Sequence, residues 1–139
     1  MTHKRFTLPV IALLFVLLPI LLLAACQLGE TPESSFVNYK GVVASGLIER
    51  GWIPEWLPET AVDIHEVHNL DNNASILLFD AGAEFSVPAG CEQVTNPPET
   101  TLKESWWSQS FSSDWPVYDC GNGYLAVDET GMRVYFWRP

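Results

Sequence analysis

Basic side chains are scarce in this chain. Seven Lys and Arg stand against 17 Asp and Glu, a formal net charge of −10. An acidic surface repels phosphate, which argues against DNA, RNA and other polyanions as partners. Length is limited too, and 139 residues make one modest domain rather than two. The sequence has no serine-centred nucleophile elbow, no phosphate-cradling glycine loop, no close His/Asp/Ser arrangement and no internal repeat. Charge is missing altogether from Leu8 to Ala25. That one stretch accounts for a mean hydropathy just above zero in an otherwise acidic chain.

The uncharged stretch has the order of an export signal. His3, Lys4 and Arg5 make a basic start, Leu8 to Leu23 an apolar run broken by Pro9 and Pro19, and Ala24-Ala25 a small-residue site before Cys26. As a membrane-spanning helix the run is short: 16 residues reach about 24 Å against a hydrocarbon core of roughly 30 Å.

Leu23-Ala24-Ala25-Cys26 resembles the lipobox of bacterial lipoproteins. The resemblance implies lipid on the Cys26 sulfur, cleavage before Cys26 and acylation of the new N-terminus. Several acyl chains, at about 0.8 kcal/mol per buried methylene, hold a protein on a membrane essentially permanently. In Gram-negative lipoproteins an Asp after the cysteine marks inner-membrane retention. Gln27 stands here, so the resemblance implies an envelope protein on the periplasmic side of the outer membrane if the cell is Gram-negative. The organisation expected is a signal peptide at 1–25, a lipidated N-terminus and tether at 26–35, and one globular domain at 36–139. Cleavage leaves 114 residues, removes Lys4 and Arg5, and sharpens the charge to −12.

Cys91 and Cys120 remain as an even pair in an oxidising compartment, and a disulfide is their natural state. A metal site would need a second Cys or His at ligand spacing beside either one, and the sequence supplies none. A nucleophilic cysteine would need a base such as His65 or His68 brought to it by the fold.

Along the mature chain, apolar residues from Phe36 to Arg50 recur near the helical period, with Ser34 or Ser35 as the cap and Gly51 as the stop. Trp52 to Pro58 is a proline-framed packed connector. His65–Leu70 and Ser75–Phe79 flank Asp71-Asn72-Asn73 as a β-hairpin. Phe85 to Val87 suits a short strand, and Glu99 to Gln109 a second helix opened by Pro98. Tyr118–Asp128 and Met132–Trp137 make a second hairpin around Glu129-Thr130-Gly131. These elements predict a small α+β domain, an antiparallel sheet of four to five strands with one or two helices on one face.

Gly51 to Pro58, with Ile64-His65-Glu66 and Leu70 to Asn73, is similar to a pattern in small uncharacterised bacterial envelope lipoproteins. The resemblance supports the architecture and carries no catalytic residues.

Three constellations fall short of a site. His65-Glu66-Val67-His68 misses zinc-protease spacing by one residue. Asp71, Asn73 and Ser75 begin a calcium loop, but Ile76 stands where Gly is needed and Gly82 where a bidentate Glu is needed. Paired acids such as Asp128-Glu129 are expected by chance among 17. No metal, no cofactor and no catalytic residue is expected. The tryptophans remain: six in a mature chain of 114 residues. Their ordinary use is to fill a core. Trp106, Trp107 and Trp115 are the candidates for exposed faces that contact a ligand or partner, since neighbouring Trp106 and Trp107 cannot both face inward. The expected role is a non-enzymatic, lipid-anchored envelope module that binds another envelope protein. A carbohydrate or peptidoglycan-binding module is the alternative.

Overall fold

A computed structural model describes residues 31–108 and 115–139. The expected signal peptide, Cys26, the first part of the tether and most of the polar loop from Ser108 to Ser113 lie outside the described residues.

The sheet is built from seven strands: β1 (Glu33–Asn38), β2 (Val62–His68), β3 (Ser75–Asp80), β4 (Glu92–Val94), β5 (Val117–Asp119), β6 (Tyr124–Val127) and β7 (Arg133–Arg138). They lie in the order β1-β2-β3-β7-β6-β5-β4, every neighbouring pair antiparallel. One helix is described, α1 (Tyr39–Ser45), seven residues long. The α+β expectation of four to five strands with one or two helices is therefore overturned. The domain is mostly β.

The central strands explain the architecture. In β3, Ile76, Leu77, Leu78 and Phe79 are all buried, and in β7 so are Val134, Tyr135, Phe136 and Trp137. Alternate side chains leave a strand on opposite faces, so a continuous apolar run needs cover on both. Leu77, Phe79, Val134 and Phe136 share one core with Val42 of α1, with Leu47 just after it, and with Ile53 and Leu57 of the connector. Ile76, Leu78, Tyr135 and Trp137 share the other with Trp107, backed by Leu102, Trp106 and Trp115. The second layer is a non-helical segment in place of the expected helix at 99–109. Trp137 anchors it by donating its indole N–H to the Pro98 carbonyl at 2.8 Å.

Helix α1 starts and stops later and earlier than its apolar period suggests. Asn38 caps it, accepting from the Gly41 amide, and Gly46 ends it in the left-handed region at φ 70°. Ser34 and Ser35 belong instead to β1. Phe85 to Val87 is not a strand; Phe85 packs its ring edge-on against Trp56 and Phe79.

Cys91 and Cys120 are joined by a disulfide, closing 29 residues of sequence separation. It ties the start of edge strand β4 to the end of β5. Reduction is expected to lower stability by about 3–4 kcal/mol, chiefly by freeing the unfolded chain. Thermal melts with and without reductant check this, and coincident melts would show that the bridge contributes nothing.

Candidate functional site

Strand β2 carries polar side chains on both faces, and each face builds a different cluster. Residues directly opposite one another on paired strands point to the same side. Ser35 of β1 stands opposite His65, and their side chains meet on the face covered by the tryptophan layer.

There His65 is held at both ring nitrogens. Ser35 Oγ lies 3.1 Å from Nδ1, and Asp63 Oδ1 lies 3.1 Å from Nε2. With the proton on Nε2, the Ser35 hydroxyl donates to Nδ1 and the ring donates to the carboxylate. Arg133 of β7 reaches the other oxygen, Asp63 Oδ2, at 3.5 Å. The indole of Trp106 lies over His65 with ring centroids 5.3 Å apart, and its N–H donates to Glu33 Oε1 at 2.9 Å. The cluster is open to water: the Asp63 side chain is 60% exposed and that of Arg133 45%.

Asp63 also has φ 50°, in the left-handed region. The β2–β3 register shifts across Val62 to His65, so this residue sits in a bulge. Bulges re-aim side chains and gather near binding sites. A non-glycine residue held in this region costs of order 1 kcal/mol, and such strain concentrates at functional positions.

The opposite face of β2 carries Glu66 and His68. Glu66 is fully buried, and its Oε1 lies 2.8 Å from His68 Nδ1. Trp52 stacks on His68 with centroids 3.9 Å apart and planes 17° from parallel. Burial pushes the Glu66 carboxyl up to about 8, against the pull of Arg138 and Arg50. Burial also lowers His68, helped by Arg50. Both partners are thus neutral at pH 7, sharing a hydrogen bond between a carboxylic acid and an imidazole. Ser75, opposite His68 and beside Arg138 in the ladder, is buried as well.

Trp106 is the candidate aromatic that reaches the open cluster. Trp107 is 5% exposed and packs edge-on against Tyr135 and Trp137. Trp115 is half-buried, its ring tilted over Tyr135 at 5.5 Å. Among the described residues no group of three or more His, Cys, Asp and Glu is placed to hold a metal ion, and no helix is long and apolar enough to cross a membrane.

In the sequence Asp63 carries no signal, Ser35 reads as a helix cap and His65 as part of a metal pattern one residue short; none of them points to this cluster. Ser35 and His65 are 30 positions apart, and strand pairing alone brings them together. The positive φ of Asp63 has no signature of its own in the sequence.

No curated protein and no solved structure matches the chain. A family model described as the YbbD head domain, a bacterial family, matches residues 30–80. The matched stretch is just over a third of the chain and covers β1, α1, β2 and β3. Of the open cluster it contains Glu33, Ser35, Asp63 and His65, whereas Trp106 and Arg133 lie beyond it.

Proposed function

We propose that the protein is a lipid-anchored, non-enzymatic binding module of the bacterial cell envelope. The anchor rests on Leu23-Ala24-Ala25-Cys26 following a basic start and an apolar run. With cleavage before Cys26, six residues, and so seven Cα–Cα steps, lie between the lipidated Cys26 and β1 at Glu33. An extended tether of that length reaches roughly 23 Å, so the domain stands close to the bilayer.

The observation that supports binding is the cluster in which half-buried Trp106 meets the solvent-facing Asp63 and Arg133 through His65. Its groups come from separate elements and are held by one another. A rigid, solvent-facing constellation of this kind lowers the ordering cost of a contact.

Two measurements test the reading. Cys26→Ala should abolish incorporation of a fatty-acid analogue and release the protein from membranes; continued labelling refutes the anchor. Trp106→Ala should lose whatever the wild-type chain retains from detergent-solubilised envelopes. An identical set of retained partners refutes the binding surface.

A further inference from the structure

We propose that the open cluster on β2 is a saccharide subsite, taking a neutral pyranose with its apolar ring face on Trp106 and its hydroxyls on Asp63 and Arg133. The proposal deepens the binding-module reading and rests on it.

Five groups converge from four parts of the chain. Ser35 comes from β1, Asp63 and His65 from β2, Arg133 from β7, and Trp106 from the layer that covers the sheet. Each is fixed by its neighbours. Glu33 holds the Trp106 indole, and Ser35 and Asp63 hold the His65 ring between them. A side chain ordered in advance loses little entropy when a ligand arrives, which matters most for small, weakly bound ligands.

The chemistry narrows the class. A carboxylate and a guanidinium are planar, one accepting and the other donating two bonds in a plane, which matches adjacent hydroxyls on a sugar ring. The half-buried indole of Trp106 beside them offers its remaining apolar surface to the C–H face of the same ring. The carboxylate-rich chain, at −10, disfavours anionic ligands. An apolar ligand would desolvate the exposed Asp63 and Arg133, whose mutual contact is long at 3.5 Å, and offer them no new partner. A neutral polyol meets all three conditions.

Asp63 supplies the independent argument. Its carboxylate is 60% exposed, so its strained backbone at φ 50° is not repaid by burying a side chain. Without the bulge, strict alternation would continue through Val62 to His65. The bulge instead sets the Asp63 carboxylate between His65 and Arg133.

The test uses the full chain purified in a sugar-free detergent and titrated calorimetrically with chitotriose. Saturable binding is expected, weakened at least about tenfold by Trp106→Ala and by Asp63→Asn. Asparagine tolerates the left-handed backbone, so Asp63→Asn removes charge without disturbing the bulge. Leu70→Ser, on the exposed turn between β2 and β3, should bind like the wild type. Equal binding by Trp106→Ala overturns the proposal, as does no saturable heat at about 10 mM sugar. A protein partner lost by Trp106→Ala in a chain that binds no sugar overturns the saccharide while leaving the binding module intact. Loss of neither sugar nor partner overturns both.

Discussion

Gly123→Ala should cost about 3–5 kcal/mol of stability, enough to unfold much of the protein at physiological temperature. A Cβ at this position runs into the Phe136 ring, meeting Cζ and lying 2.7 Å from Cε2, and it stands 2.8 Å from the Trp137 carbonyl oxygen. Neither obstacle can yield easily. Phe136 is fully buried between α1, the connector and the sheet, and the carbonyl belongs to the ladder of β7. Gly121, two residues earlier, makes the control. It has φ 78° with nothing within 4 Å of its added Cβ, so Gly121→Ala carries only backbone strain, about 1 kcal/mol. Urea denaturation of the two variants separates packing from conformation. Phe136→Leu should recover part of the Gly123→Ala loss, giving a non-additive double-mutant cycle. Equal stability of the two alanine variants would mean that β6 shifts freely against β7.

The same packing explains which elements the sequence reveals. Strands β2, β3, β6 and β7 carry apolar side chains at strand spacing, and the β2–β3 and β6–β7 turns rich in Asn, Asp and Gly are legible, but the expected single strand Tyr118–Asp128 is two, β5 and β6, that pair with each other. Strand β1 is not. Its sequence, Glu33-Ser34-Ser35-Phe36-Val37-Asn38, holds two apolar residues, and Val37 is 84% exposed. It is an edge strand ordered by pairing with β2 rather than by burial, and local pattern reads its Phe36 as the first turn of the helix. The segment from Asn96 to Ser108 misleads in the opposite way. Pro98, Leu102, Trp106 and Trp107 have helix-like placement, yet the chain here must spread several large side chains over a sheet face. A compact helix would present one stripe, whereas a loop can lay Trp106 and Trp107 at ring planes 85° apart. That layer also corrects the expected one-sided packing, because β3 and β7 need cover on both faces.

The candidate site divides along the same line. Trp106 is visible from composition, since six tryptophans in so short a chain invite a surface role. The Ser35, Asp63 and Arg133 partners are not, because each depends on long-range strand register. Glu66 and His68 belong to the pattern His65-Glu66-Val67-His68, which misses zinc-protease spacing by one residue. Alternation already puts Glu66 and His65 on opposite faces; what the sequence does not show is that Glu66 is fully buried while His65 stays part-exposed against Trp106.

Raising the pH above neutrality should destabilise the protein through Glu66. Its folded carboxyl sits at about 8 instead of 4.5, so the folded state holds a proton that the unfolded chain releases. The stabilisation from that proton is complete below pH 4.5 and is lost as pH rises through about 8. His68 works in the other direction. Its value is lowered from 6.5, so its contribution is present above that pH and is lost as pH falls. Between pH 4.5 and 6.5 the two slopes oppose each other. Above 6.5 the Glu66 slope acts alone, at up to ~1.4 kcal/mol per pH unit, and across its whole range the shift corresponds to at most ~5 kcal/mol. Arg50 and Arg138 favour the ionised acid and moderate the loss. Tyr135, raised from 10 by burial, titrates above this window. Glu66→Gln keeps the shape and the neutrality of the protonated acid, so it should flatten stability between pH 6.5 and 9 and leave the variant more stable than the wild type at the alkaline end. Denaturant midpoints at half-unit pH steps measure both curves, and parallel curves would show that Glu66 is already ionised in the folded protein. Trp52 reports where the loss begins, because its ring lies flat on His68. If a charge on Glu66 disrupts the acid–imidazole hydrogen bond, the Trp52 stack should loosen before the sheet unfolds, and near-ultraviolet circular dichroism should change at lower pH than the far-ultraviolet signal.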